Sequence, residues 1–194
     1  FAPSADIPIA KQLEISREKI SNKWPDAKYI AYFQAFTNTY APVDVLEEKY
    51  MEALSCPWIS GIAIATRPDC MGDDVADLLE RLSQKTYLWV EFGLQTSRED
   101  TAELINRGYK NDVYLSAMKK MKERNIETVT HIILGLPGET REDMENSVKF
   151  AADAKTDGIK LQLLHVIRGT KLHEMYLKEP FHIMSRDEYT DTVI

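Results

Sequence analysis

The sequence predicts an α/β domain of repeated βα units with five parallel strands, and three observations carry that expectation. Helical and strand-like patterns alternate along the 194 residues, with strand patterns beginning at 29, 59, 87, 128 and 158, at intervals of 30, 28, 41 and 30 residues. An antiparallel sandwich spaces its strands more closely, whereas parallel strands need a helical crossover between them. The strand segments are apolar or aromatic at almost every position, as strands covered by helices on both faces are. The polar residues that interrupt this pattern gather at the same end of every strand, the end where parallel α/β folds place their ligands.

Residues 9–22 carry Ile9, Leu13, Ile15 and Ile20 among charges and predict a helix that Trp24 and Pro25 end. A first strand follows over 29–36, with the polar tip Thr37, Asn38, Thr39 and Tyr40. Pro42 is placed in the first turn of a helix whose buried stripe is Leu46, Tyr50, Ala53 and Leu54, and Cys56 with Pro57 closes it. The second strand, 59–65, ends in Thr66, Arg67, Pro68 and Asp69; Asp73 then caps a helix with the core face Val75, Leu78, Leu79 and Leu82.

The third strand, 87–93, contains one carboxylate, Glu91, which must be paired or ligand-facing because an isolated buried charge is too costly to keep. Gln95 lies just past it. Two helical pieces, 98–105 and 113–124, are separated by Asn106, Arg107, Gly108 and Tyr109. The fourth strand, 128–134, holds His131 and ends in the loop 135–139, after which Thr140 and Asp143 spell a capping box and Met144, Val148, Ala151 and Ala152 a buried stripe. The fifth strand, 158–164, is followed by His165 and Arg168, and residues 186–194 read as a helix without a stop signal. Because the chain starts at Phe1 rather than Met, both ends are expected to be cut from a longer protein, with 1–194 forming a single core domain.

A net charge of −7 offers no overall attraction to nucleic acid or an anionic membrane. No apolar run approaches the roughly 20 residues that a bilayer span requires, so a cytoplasmic location is expected. The two cysteines, Cys56 and Cys70, are too few for a disulfide framework and too far apart for a metal knuckle. Dinucleotide-fold glycine motifs, phosphate loops, serine elbows and zinc-protease motifs are absent from the sequence.

Individually, the polar residues also have structural readings. Arg67 and Asp69 can pair within a turn, His131 can be a hydrogen-bonded core residue, residues 106–108 can be a helix stop, and 135–138 can be a tight turn. Taken alone, the residues give a ligand-binding parallel α/β domain whose reaction is open.

The stretches YIAYFQAFTNTYAP at 29–42, IAIATRPD at 62–69, WVEFGLQT at 89–96, INRG at 105–108, HIILGLPGET at 131–140 and HVIRGT at 165–170 together resemble the radical S-adenosylmethionine enzymes. Within them the chain is similar to a YhcC-type subfamily, to the Elongator catalytic subunit and, more distantly, to oxygen-independent coproporphyrinogen oxidase. The resemblance implies a partial TIM-like (β/α)6 barrel whose first strand is missing here. It also implies S-adenosylmethionine, a [4Fe–4S] cluster, an electron donor, and a 5′-deoxyadenosyl radical that abstracts a substrate hydrogen, with transfer RNA a candidate substrate. The Cys-x3-Cys-x2-Cys cluster motif of the family is absent from this chain. It is expected upstream of Phe1, so that the fragment itself would be inactive.

By position in those motifs, Thr37 and Asn38 stand where relatives bind the methionine amino group, but the Gly-Gly-Glu triplet is not present, and Ala65 replaces a glutamate. Thr66, Arg67 and Glu91 join them as cofactor-binding candidates. Gln95 matches a ribose-contacting glutamine, Arg107 an arginine suited to the methionine carboxylate, and His131 an aspartate that contacts ribose, while Leu136 and Pro137 are expected near the adenine. The alternative is a barrel-like domain that binds a nucleotide or other small molecule without redox chemistry.

Overall fold

The computed structural model describes residues 7–24 and 27–194. Five strands form one sheet in chain order: β1 (Tyr29–Phe33), β2 (Ile59–Thr66), β3 (Tyr87–Gln95), β4 (Glu127–Leu134) and β5 (Gly158–Leu163). The β1–β2 and β4–β5 pairs are parallel, as the helix-length connections require. Eight α-helices accompany them among the described residues: α1 (Ile9–Ser21), α2 (Val43–Leu54), α3 (Asp73–Ser83), α4 (Glu99–Leu104), α5 (Asn111–Glu123), α6 (Arg141–Asp153), α7 (Lys171–Lys178) and α8 (Arg186–Val193). The chain divides into two compact units, one of residues 1–91 and 120–128, the other of 92–119 and 129–194.

In the first unit β2 is the most buried strand, with every residue from Gly61 to Thr66 inside. Gly61 belongs there because a Cβ would lie 2.5 Å from the Tyr87 carbonyl oxygen, so only glycine lets the backbones approach. Leu46, Tyr50 and Ala53 of α2 and Val75, Leu78, Leu79 and Leu82 of α3 fill the core at the expected helical spacing. β1 stops at Phe33 rather than continuing to 36. Phe36 has φ +62° and is fully exposed, and the Asn38 side chain binds the Phe33 carbonyl, turning the chain off the sheet.

Two helix starts differ from expectation. Pro42 occupies the N-cap rather than the first turn, and Gly72 rather than Asp73 caps α3. Asp73 is already helical and pairs with Lys120 at 2.7 Å, while the Asp74 carboxylate accepts the Val75 amide. Both carboxylates favour the positive end of the helix dipole without being its cap. Pro25, expected to end α1, lies outside the described residues.

In the second unit, the Thr140 box is present: its side chain accepts from the Asp143 amide while Asp143 accepts from the Thr140 amide. Met144, Ser147 and Ala151 bury the inward face of α6. α7, which the hydrophobic pattern does not reveal, begins at a Thr170 cap, and α8 begins at a Ser185–Glu188 box.

Candidate functional site

The strand-end residues of the first unit are bound mostly to one another. Asn38 Nδ2 donates to Phe33 O at 3.0 Å and to Ala65 O at 2.8 Å, tying the ends of β1 and β2 together, and its own carbonyl accepts Tyr50 Oη at 2.6 Å. Buried Thr66 lies 2.6 Å from the Thr39 hydroxyl, which in turn donates to Cys70 O at 2.7 Å. Arg67 forks onto Asp69 through Nε at 3.0 Å and Nη2 at 2.6 Å, the turn pairing that the sequence allowed. Thr37 is half-buried, and its carbonyl accepts the Tyr40 amide.

Glu91 is buried and paired. Tyr32 Oη donates to Oε2 at 2.8 Å and Trp89 Nε1 to Oε1 at 2.9 Å, so each carboxylate oxygen receives a donor. These aromatic donors answer the cost of keeping a charge inside a strand. Sequence reasoning found the carboxylate but not its partners, because a tyrosine and a tryptophan in apolar strands read as core.

The second unit holds a different arrangement at the exit of β3. Gln95 has φ +65°, and the Thr96 amide donates back to Leu94 O at 2.8 Å, making Gln95 the centre of a γ-turn. The positive-φ form is the rare, strained one, costing on the order of 1–3 kcal/mol for a non-glycine residue. Arg107 holds the turn from behind. Its Nη1 donates to Leu94 O at 3.0 Å, Thr96 O at 2.9 Å and Asn111 Oδ1 at 3.0 Å, and its Nε to Tyr109 O at 2.9 Å.

The Arg107 side chain is 1% exposed and faces Glu99 at 3.4 Å. Burial draws the guanidinium below its ordinary value, against the pull of Tyr109 and Glu99. The guanidinium expected to face a carboxylate thus binds backbone carbonyls on either side of Gln95. The Tyr109 hydroxyl adds a bond to Gly93 O, and its ring lies 4.9 Å from the guanidinium carbon.

The loop after β4 joins the same neighbourhood. Thr96 Oγ1 donates to Glu139 Oε1 at 2.5 Å and accepts the Arg98 amide, while Ser147 Oγ on α6 accepts the Ser97 amide at 2.9 Å. These bonds bring Gln95, Arg107 and the Leu136–Pro137 loop into one cluster, with Leu136 buried and Pro137 half-buried. His131 is buried in β4 opposite Lys160 of β5, whereas His165 and Arg168 are exposed.

Two acceptors of the cluster, Gln95 Oε1 and Glu139 Oε2, are buried without a hydrogen-bond partner among the described residues. Native proteins seldom leave such acceptors unsatisfied. A ribose hydroxyl is a donor of the required kind, so this end of the second unit fits an adenosyl group.

The cysteines do not fit an iron–sulfur cluster. Cys56 is buried, Cys70 is half-buried, and burial pushes both thiols up, reinforced by Glu52 beside the first and Asp69 beside the second. Cluster ligation needs thiolates. Among the described residues no group of three or more His, Cys, Asp or Glu could hold a metal ion, and no helix is long and apolar enough to cross a membrane.

Residues 6–151 match the Radical SAM superfamily, and residues 156–194 match the Radical_SAM C-terminal domain. The chain is 45% identical over 193 residues to uncharacterized protein YtqA of Bacillus subtilis strain 168, covering 100% of this chain and 60% of that protein. It is 36% identical over 166 residues to protein YhcC of Escherichia coli K12, covering 85% of this chain and 54% of that one. The chain therefore spans little more than half the length of these relatives. Among solved structures, the archaeal Methanocaldococcus infernus Elp3 with an N-terminal deletion (1–46) aligns with a TM-score of 0.77 at 19% identity, over 95% of this chain and 47% of that chain. That likeness is one of fold, and the α/β class read from the sequence, a partial (β/α)6 barrel, is the class these proteins share.

Proposed function

Since the chain belongs to the Radical SAM superfamily, we propose that it is the core of an enzyme that binds S-adenosylmethionine and uses it for hydrogen abstraction. The observation that carries this reading is the buried, unsatisfied Gln95 Oε1 at the exit of β3, on the residue that matches a ribose-contacting glutamine of the family by motif position. When bound and reductively cleaved, S-adenosylmethionine supplies a 5′-deoxyadenosyl radical that takes a hydrogen atom from a substrate carbon.

In this reading the chain binds, orients and excludes water, leaving the radical chemistry to the cofactor. Gln95 accepts a ribose hydroxyl, and the buried side chain of Leu136, with Pro137 beside it, offers an apolar wall to the adenine. His131, buried in β4, is the candidate second ribose contact. Thr37, Asn38, Thr66, Arg67 and Glu91, all in the first unit, remain cofactor-binding candidates by motif position alone. Asn38, Thr66 and Glu91 must exchange or share the bonds they already make in order to serve. Carboxylate recognition by Arg107 carries the same condition.

Two cysteines cannot supply the three thiolates of the cluster motif, so no step is assigned to a cluster on these residues. The reading places its ligands in sequence outside this chain, and an electron donor is required. The substrate proposal follows the likeness to the Elongator catalytic subunit and is transfer RNA; salt-dependent binding of transfer RNA by the full-length protein checks it.

The central experiment is anaerobic cluster reconstitution of the full-length protein, followed by reduction with S-adenosylmethionine and assay for 5′-deoxyadenosine. Nucleoside release is expected. Tight cofactor binding with no release under reducing conditions would remove the radical reading and leave a non-redox nucleotide-binding domain.

A further inference from the structure

We infer that Tyr109, acting together with Arg107, is a positioning residue that holds Gln95 in its strained turn so that its amide oxygen meets the cofactor. This rests on the proposed role of Gln95 toward ribose and assigns a task to Tyr109, which does not itself touch the cofactor.

The argument begins with the backbone. Three carbonyls at the exit of β3 are held by side chains from one short segment: Gly93 O by the Tyr109 hydroxyl, and Leu94 O and Thr96 O by Arg107 Nη1 at 3.0 and 2.9 Å. Gln95, between them, has φ +65°. A non-glycine residue keeps that conformation only where its surroundings over-determine it. Here the surroundings are a guanidinium that is 1% exposed and a phenol whose ring lies 4.9 Å from it.

The side chain lies beside the same segment. Gln95 Nε2 lies 2.5 Å from where a Cβ on Gly93 would be, and the Tyr109 oxygen lies 3.3 Å from that point, so amide and phenol share the space that glycine leaves open. With Nε2 in that space, Oε1 is left as the buried acceptor. A strained segment that ends in an unsatisfied acceptor points to function rather than to stability, since relaxing the turn would relieve both costs. Tyr109 sits in the polar insert between α4 and α5, and its only sequence signature is its closeness to Arg107 and Gly108.

The test uses the full-length protein and the variants Tyr109→Phe, Gln95→Ala and the double variant. Tyr109→Phe keeps the ring against Arg107 and deletes only the hydroxyl. Two quantities are read. One is affinity for S-adenosylmethionine relative to its 2′,3′-dideoxyribose analogue. The other, measured without cofactor, is the NMR resonance of the Gln95 side-chain amide after selective glutamine labelling, assigned by its loss in Gln95→Ala.

Each single variant is expected to lose about 3–10-fold of the preference for the hydroxylated ligand, the worth of one hydrogen bond. The double variant is expected to lose no more than Gln95→Ala alone, and the amide resonance is expected to move in Tyr109→Phe. An unmoved resonance, a retained preference in Tyr109→Phe, or losses that multiply in the double variant would overturn the positioning role. Wild-type protein that binds both ligands equally would instead defeat the ribose reading of Gln95, while the resonance still decides whether Tyr109 holds it.

Discussion

At the scale of single residues, the second unit separates stability from placement at Gly93. This glycine is in β3 without a positive φ, so alanine fits its backbone and by itself should change stability by no more than about 1 kcal/mol. What its Cβ would meet is the end of a flexible side chain, Gln95 Nε2 at 2.5 Å, with the Tyr109 oxygen next at 3.3 Å. The amide can move away cheaply, and in moving it loses its aim. Gly93→Ala is therefore expected to leave the thermal midpoint close to wild type while weakening S-adenosylmethionine binding by about 3–10-fold, one hydrogen bond. Calorimetric titration alongside thermal unfolding checks this, and a variant that unfolds early yet binds normally contradicts it. Thr66 and Asn38 have the reverse character, since their bonds tie chain to chain, and replacing them should be felt in folding first.

At the scale of elements, the start of α6 carries two carboxylates with opposite responses to pH. Burial raises the Glu139 carboxyl above its ordinary value of 4.5, against the bond from Thr96. The Thr140 amide and hydroxyl, with Arg98 behind them, hold Asp143 below its ordinary value. A raised carboxyl gives stability that is full below the unfolded value and is lost as pH rises through the folded one. A lowered carboxyl gives stability present above the unfolded value and lost as pH falls through the folded one. Glu139→Gln keeps an acceptor for Thr96, so it should gain on wild type as pH rises from about 4.5 toward neutrality. Asp143→Asn should instead forfeit an advantage that wild type itself loses only in acid. Urea denaturation across that range measures both, and curves that stay parallel to wild type would contradict the assignment.

The same helix shows what was legible in the sequence. Its capping box is spelled by residues three apart and needs no tertiary information, and the buried stripes of α2 and α3 follow from spacing alone. The early stop of β1 was not legible, because it depends on Asn38 reaching Phe33 O and Ala65 O. Gln95 was expected just past its strand and is instead its last residue, and the guanidinium and phenol beside it come from residues 12 and 14 positions later, in a segment whose sequence reads as a helix break. The Ser185 box of α8 is spelled by residues three apart, whereas the α7 cap has only Thr170 to announce it.

At the scale of the whole molecule, the question is which part of the proposed chemistry this chain can carry. The residues proposed to face the adenosyl group lie in the second unit, whereas the thiolates for a [4Fe–4S] cluster number two at most, in positions that disfavour ionisation. Cofactor binding and cluster assembly should therefore be separable by length of chain. Residues 1–194, once circular dichroism has shown them to be folded, are expected to retain measurable S-adenosylmethionine affinity and to take up no stable cluster on anaerobic reconstitution. The longer protein is expected to show the charge-transfer absorbance of bound iron and sulfide. Binding in the short chain should also be weaker, since without the cluster only contacts of the kind proposed for this chain's own side chains, such as Gln95, Leu136 and Pro137, remain. Stable uptake of four irons per short chain would mean that Cys56 and Cys70 recruit ligands that their surroundings disfavour, and the division of labour proposed here would have to be redrawn.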